Sequence, residues 1–154
     1  MEPVPTVLAF ALQEERGFGA VFCEWRPRVG DGEAGARERD EFVFAALGSE
    51  ADTRGKDGYR EVTAAEARHI VAHWMRHSMA YGRPLSGSGL VSEVAEPFFR
   101  VFSAARYFTN LSVTRTPNGG AFSQFTSKTK HTFDTGVVAT DAVQIGMVWF
   151  ADED

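Results

Sequence analysis

The chain has 154 residues, of which 44% are hydrophobic and 24% charged, with a formal net charge of −5. Such a chain is typical of one soluble domain with a sizeable core, and its acidity disfavours general nucleic-acid binding, which depends on a cationic surface. The single cysteine, Cys23, excludes an intrachain disulfide bond and a multi-cysteine zinc site. Its strand-like surroundings, GAVFCEW, predict a buried, inert thiol.

Charge is distributed unevenly along the chain. Residues 1–62 carry 13 acidic and 8 basic residues, residues 63–130 carry 3 and 8, and residues 131–154 carry 5 and none. The middle is therefore basic and both ends are acidic, a field that can steer a charged partner.

Targeting signals are not recognisable near the first residue. The apolar run VPTVLAFAL has no basic start and no small-residue cleavage site, and no apolar run approaches the roughly 20 residues that span a bilayer. We expect a cytoplasmic protein that does not enter the membrane.

The first elements in chain order are predicted as strands. VPTVLAFALQEE has apolar residues on both faces, and GFGAVFCEWRP follows after Arg16 and Gly17, which favours an N-terminal hairpin. Residues 28–40, rich in glycine and charge, are predicted as a mobile loop. DEFVFAALG is predicted as a third strand, and residues 48–58 as a second mobile, polar loop.

Two helices are predicted next, at about 63–81 and 92–106. Thr63 and Glu66 have the capping-box spacing, and the apolar stripe of the first helix is centred on Trp74. Its members are Ala67, Ile70, Val71, Trp74, Ser78 and Tyr81. In the second helix Phe98, Val101, Phe102 and Ala105 recur at helical spacing, with Pro97 near its start.

The remainder alternates strands and turns. YFTNLSVTRT and AFSQFTS flank an Asn118–Gly119 hairpin turn, and HTFDTGVVA precedes VQIGMVWF, which is apolar on both faces. We predict one α+β domain over 1–154, with an antiparallel sheet of about six or seven strands and both helices on one face. Residues 152–154 are predicted as an exposed acidic tail.

The most conspicuous candidate site is a run of three histidines, His69, His73 and His77. Two histidines at i and i+4 can direct ring nitrogens at one metal ion. A catalytic zinc also needs a third ligand, for which His131 and Asp134 are the candidate donors. The alternative interpretation is that these are boundary and surface histidines on a buried helix, and we expect no metal or other cofactor.

Residues 133–136 read FDTG, which resembles the catalytic loop of aspartic proteases over four residues. Those enzymes have a small residue where this chain has Val137, and they pair two such loops, whereas no second Asp-Thr-Gly is present. We therefore interpret Asp134 as a strand-start aspartate that bonds its own turn.

Three functions remain open. The first is a bacterial protein-binding domain of the inhibitor or toxin-immunity kind, without catalysis, which occludes a partner with a cationic surface through Trp149, Asp152, Glu153 and Asp154. The second is a metal-dependent enzyme centred on His69 and His73 with His131 or Asp134. The third is a small-ligand-binding domain with a pocket between sheet and helices.

Overall fold

The computed structural model describes residues 3–30, 32–53, 58–79, 84–85, 91–115 and 121–153, with backbone only at 91–92, 112–115 and 121–125. The helices in these ranges are α1 (Pro5–Arg16), α2 (Ala36–Leu47), α3 (Ala64–Arg76) and α4 (Val91–Val101), with a short 3₁₀ turn at Gly48–Glu50. The strands are β1 (Ala20–Pro27), β2 (Arg60–Val62), β3 (Arg106–Thr109), β4 (Leu111–Arg115), β5 (Ala121–Phe125), β6 (Phe133–Thr140) and β7 (Gln144–Asp152).

Five of these strands form one antiparallel sheet in the order β1-β7-β6-β3-β2. β4 and β5 pair only with each other, so the prediction of six or seven strands in a single sheet was wrong. The α+β class and the antiparallel pairing are confirmed. The Asn118–Gly119 turn lies outside the described residues.

Helices cover both faces of the sheet. Side chains alternate along a strand, so Val148 and Phe150 of β7 face α1, α3 and α4, while Met147 and Trp149 face α2. β7, which the sequence showed to be apolar on both faces, thus lies between two layers of helices. α3 and α4 do share a face, but the sequence prediction omitted the other two helices. None of the described helices has the length and apolar content that crossing a bilayer requires.

The predicted N-terminal hairpin is wrong, because residues 5–16 form a helix. Leu8, Leu12 and Arg16 recur every four residues and are buried on its inner side. Pro5 stands in the first turn, where a proline costs no hydrogen bond. Gly17 ends the helix in the left-handed region at φ 65°, and its N–H bonds the Gln13 carbonyl.

The third predicted strand is also a helix, α2, which takes residues 36–40 out of the expected loop at 28–40. Asp40, Val43 and Leu47 are buried at spacings of three and four, which is helical periodicity. Within the second expected loop, 48–58, the residues 48–50 form the 3₁₀ turn and 54–57 lie outside the described ranges.

The start of α3 is confirmed and its end is corrected. The Glu66 N–H donates to Thr63 Oγ1 over 3.1 Å, and the Thr63 N–H donates to Glu66 Oε1 over 3.4 Å, which completes the capping box. The helix ends at Arg76 rather than near 81, because His77 is extended and pairs with Pro84. Tyr81 lies outside the described residues.

α4 ends at Val101, five residues before the predicted limit at 106, and Pro97 lies in its second half rather than near its start. Arg106 already belongs to β3. The helix buries Phe98 and Phe99 against the sheet, and Phe102 follows them into the core.

Candidate functional site

The predicted exposed tail at residues 152–154 is wrong at its first residue, Asp152, which is buried. Trp149 and Asp152 both lie on β7 with 0% of their surface exposed, so neither belongs to the protein surface. Glu153 is exposed and accepts a hydrogen bond from the Thr132 hydroxyl, and Asp154 lies outside the described residues. Trp149 and Asp152 are therefore unavailable to a partner, Glu153 is exposed, and the prediction for Asp154 stays untested.

Asp152 instead forms a buried ion pair with Arg16. The guanidinium of Arg16 donates to both carboxylate oxygens of Asp152, at 2.5 and 2.8 Å. It also donates to the Trp74 and His77 carbonyls, at 2.6 and 3.1 Å, and the Met79 N–H bonds Asp152 over 2.9 Å. The pair thus connects α1, the end of α3 and the end of β7, which is a structural role.

The carboxylate of Asp134 is also buried, on the α2 side of the sheet. One oxygen accepts the N–H of Lys128 and the indole N–H of Trp149, at 2.8 and 3.0 Å. The other accepts the Thr129 N–H, the Thr129 hydroxyl and the Ser127 hydroxyl. Asp134 therefore bonds the segment that precedes its strand rather than its own turn.

His131 also lies away from α3. Its Nε2 is 3.1 Å from Glu50 Oε2, and its Nδ1 is 2.9 Å from Glu153 Oε1. The hydroxyl of Thr132 and then the neighbouring His131 hold the pKa of Glu153 below its ordinary value. His131 and Asp134 thus make their contacts on the α2 side of the sheet. The histidines of α3 lie on the opposite face.

The structure does not bring the four predicted metal ligands together. Within the described ranges there is no group of three or more His, Cys, Asp or Glu side chains placed to hold a metal ion. The rings of the predicted pair, His69 and His73, have centroids 6.2 Å apart and planes at 33°, and the ring of His73 stacks on His77 at 4.3 Å and 16°. Imidazole lone pairs lie in the ring plane, so stacked rings do not converge on one ion.

His69 and His73 instead border a groove, which we call the α3 groove. It has a volume of about 470 Å³. Residues of α3 form one side of it, and residues from β2 and the start of β4 form the other. Its lining residues are Arg60, Ala65, Glu66, His69, Ile70, His73, Trp74 and Leu111.

The floor of the α3 groove is apolar. Ile70 and Leu111 are buried, and Trp74 is half-buried, with its indole edge against the His73 ring at 4.6 Å between centroids. The sequence placed Trp74 at the centre of the buried stripe, but the fully buried position one residue later is Met75. Trp74 is a groove wall as well as a core side chain.

Polar groups are placed along the rim. Arg60 donates from Nε to the Leu111 carbonyl over 3.2 Å, and its Nη1 is 3.6 Å from Glu66 Oε2, a loose ion pair. Partial burial, and then the neighbouring His77 and His69, lower the pKa of His73. The lowered pKa favours the neutral form of His73 in the free protein, so Arg60 opposite Glu66 is the permanent cation of this rim.

Sequence reasoning identified only the helical wall of this groove. Glu66, His69, Ile70 and His73 recur at spacings of three and four, which places them on one side of α3. Arg60 and Leu111 come from strands at other points of the chain, and the sequence contains no signal that joins them to the helix.

A larger groove, of about 610 Å³, lies between the end of β1 and α2. One of its three lining arginines, Arg28, already donates to Glu38 at 2.8 Å and to the Gly32 and Asp141 carbonyls at 2.5 and 2.9 Å. Because these partners occupy its donors, the Arg28 guanidinium has little capacity to bind a ligand. The α3 groove is therefore the stronger candidate.

Comparisons of the chain with protein-family models, with curated proteins and with solved structures found no match. The α3 groove is therefore the feature that indicates a function.

Proposed function

We propose that the protein is a small-ligand-binding domain and that the α3 groove takes a small aromatic carboxylic acid. The observation that carries the proposal is the groove itself, with an apolar floor, a volume of about 470 Å³ and a rim of Arg60, Glu66, His69 and His73. Ligand sites typically have volumes of about 300–1,000 Å³ and combine apolar walls with a few placed polar groups.

The aromatic part of the ligand is inferred from the walls. Trp74 and His73 present ring surfaces next to Ile70 and Leu111, and aromatic rings pack well against such surfaces in offset or edge-on geometry. A flat apolar group would cover this floor and displace water from it.

The carboxylate is inferred from the rim. Arg60 Nη1 and Glu66 Oε2 are 3.6 Å apart, which is longer than a hydrogen bond. A ligand carboxylate can therefore accept two hydrogen bonds from the guanidinium. His69 forms no polar contact within the described part of the chain, and the ring N–H of an imidazole can donate to a carboxylate. An anion fits this rim better than a cation does.

Binding is favoured over covalent catalysis by the groove's composition. Among the described side chains, its lining includes no serine, threonine or cysteine nucleophile, and Glu66 is already held in the capping box of α3. The metal-dependent alternative retains His69 and His73 but has no third ligand among the described residues. The protein-occluding hypothesis stays a prediction, and it needs a contact surface other than the buried Trp149 and Asp152.

The test is a titration of ¹⁵N-labelled protein with naphthyl and biphenyl carboxylates, each compared with its neutral carboxamide. We expect chemical-shift changes centred on Ile70, His73 and Trp74, stronger for each acid than for its amide. Arg60→Gln should weaken acid binding, while Arg37→Gln, an exposed arginine of α2 paired with Glu41, should not. Shifts that map elsewhere, or no shifts at millimolar ligand, would refute the proposal.

A further inference from the structure

Helix α1 has a second apolar surface, on the side away from the core. Val4 is 49% exposed, and Val7 and Phe10 are each 67% exposed. With Ala11, these residues lie within about 120° on a helical wheel, and we call them the α1 outer face. Inner residues Leu8 and Leu12 are buried. A contiguous exposed apolar patch of this kind marks an interaction surface more often than single exposed residues do.

The two ends of the α1 outer face differ in charge. Val4 at the N-cap provides no side-chain hydrogen bond, and the first turn has no acidic residue, so within the described residues no carboxylate of α1 offsets the positive end of the helix dipole. Glu14 lies at the opposite end of the same face, about 15 Å from Val4 at the helical rise, and forms no ion pair within the described residues.

We propose that the α1 outer face is the contact surface of a weak homodimer, in which the α1 helices of two copies pack antiparallel about a two-fold axis. With the axis between residues 8 and 9, Phe10 of each copy lies on Val7 of the other. The same placement brings Glu14 of each copy to the uncapped first turn of the other. An apolar centre with opposite charges at its two ends is self-complementary, as a two-fold interface requires.

The other common route to a β-containing dimer, edge-to-edge strand pairing, is obstructed at β1. On the outer edge, the Val21 N–H donates to the Gln13 side-chain oxygen over 2.8 Å, and the Trp25 N–H donates to the Glu24 carboxylate over 3.1 Å. Charged and polar groups of this kind protect edge strands from pairing. The helix face is therefore the better surface for a second copy.

The dimer is inferred to be weak because one helix face of three turns is small beside a standard interface, which buries about 800 Å² per partner. The α1 outer face shares no residue with the α3 groove. Failure of the homodimer proposal would therefore leave the proposed ligand binding unaffected, and the converse also holds.

The test is sedimentation velocity from about 1 to 500 µM protein. We expect a reversible shift from monomer towards dimer in the wild type. Phe10→Glu and Val7→Glu should weaken association at least about tenfold, because each places an unpaired charge at the centre of the interface. Val143→Glu is the matched control, since Val143 is 68% exposed in the β6–β7 turn, and it should leave association unchanged.

Glu14→Gln decides the orientation of the helices. In the antiparallel dimer it removes an attraction to the partner's first turn and weakens association, whereas in a parallel dimer it would relieve repulsion between two Glu14 side chains. Circular dichroism checks that each variant is folded, and Phe10→Ser replaces Phe10→Glu if that variant is not. A wild type that stays monomeric at 500 µM, a dimer insensitive to the α1 variants, or tighter association of Glu14→Gln would overturn the proposal.

Discussion

At the scale of single residues, Asp134 shows how a short motif can mislead. The FDTG sequence resembles a protease loop, but its carboxylate is fully buried and accepts hydrogen bonds from Ser127, Lys128, Thr129 and Trp149. A carboxylate with its lone pairs so engaged holds the chain in place, and no substrate can reach it.

We predict that Asp134→Ala lowers the free energy of unfolding by at least about 3 kcal/mol, because it leaves several buried donors without an acceptor. Asp141→Ala is the control. Asp141 also accepts two backbone N–H groups, each at 2.8 Å, but in a partly exposed turn where water can replace it, and it should cost about 1 kcal/mol or less. Urea denaturation measures both, and equal losses would contradict this account of Asp134.

His73 provides a residue-scale prediction of pH dependence. Partial burial lowers its pKa in the folded protein, whereas in the unfolded chain it titrates near its ordinary value of about 6.5. Between these two pKa values the unfolded state binds more protons, so the contribution of His73 to stability increases with pH and levels off above about 6.5. His73→Gln should reduce this slope in urea denaturations between pH 5 and 8, and an unchanged slope would argue against the shift.

At the scale of elements, the sequence predicted α3 well and the N-terminal half poorly. α3 has a capping box and one apolar stripe, so local signals and tertiary packing agree. α1 is apolar on both faces, which removes the periodicity that distinguishes a helix from a buried strand. In α2 the alternation of Phe42, Val43 and Phe44 imitates a strand, although the buried positions follow a helical period.

Sites were less predictable than elements for a related reason. The helical wall of the α3 groove is readable because its residues are neighbours in sequence, but Arg60 and Leu111 join it only through the pairing of distant segments. The burial of Asp152 was unpredictable in the same way, since its partner Arg16 is 136 residues away.

The element-scale prediction concerns the buried side of α3. Met75 is 2% exposed, so Met75→Ala should cost about 2–5 kcal/mol. Trp74 is half-buried, so Trp74→Ala should cost less than about 3 kcal/mol, below the loss expected of a fully buried tryptophan, and should impair ligand binding in the α3 groove. Unfolding by urea separates the two variants. If Trp74→Ala lost more unfolding free energy than Met75→Ala, the buried stripe of α3 would be centred on Trp74 and this account would be wrong.

At the scale of the whole molecule, the Arg16–Asp152 pair joins elements from the two ends of the chain. Both side chains are fully buried, and the guanidinium also bonds carbonyls at the C-terminal end of α3. Gly19 stands against this pair at φ 62°, where a Cβ would overlap the Asp152 carboxylate. The charge pair and this close approach at Gly19 thus add to the apolar packing that holds α1 and α3 against β7.

We predict that Asp152→Asn costs about 3–5 kcal/mol, because it leaves the buried Arg16 charge without its counterion. Gly19→Ala should also destabilise the fold, through both the positive φ and the overlap. Glu153→Gln, at a neighbouring exposed carboxylate, is the control and should change stability far less than Asp152→Asn does. Thermal or urea unfolding gives the comparison, and an Asp152→Asn variant as stable as Glu153→Gln would disprove the structural role of the pair.

The central claim, that the α3 groove binds an aromatic carboxylate through a cationic rim, is tested most directly by calorimetric titration of one naphthyl carboxylate between pH 5 and 8. A bound carboxylate favours the protonated form of His73, so its pKa should be higher in the complex than in the free protein, where it is lowered. Affinity should therefore be highest at the acid end and fall as pH increases through this window, and His73→Gln should flatten the profile. Binding that is independent of pH and unaffected by His73→Gln, or no heat of binding at any pH, would contradict the claim.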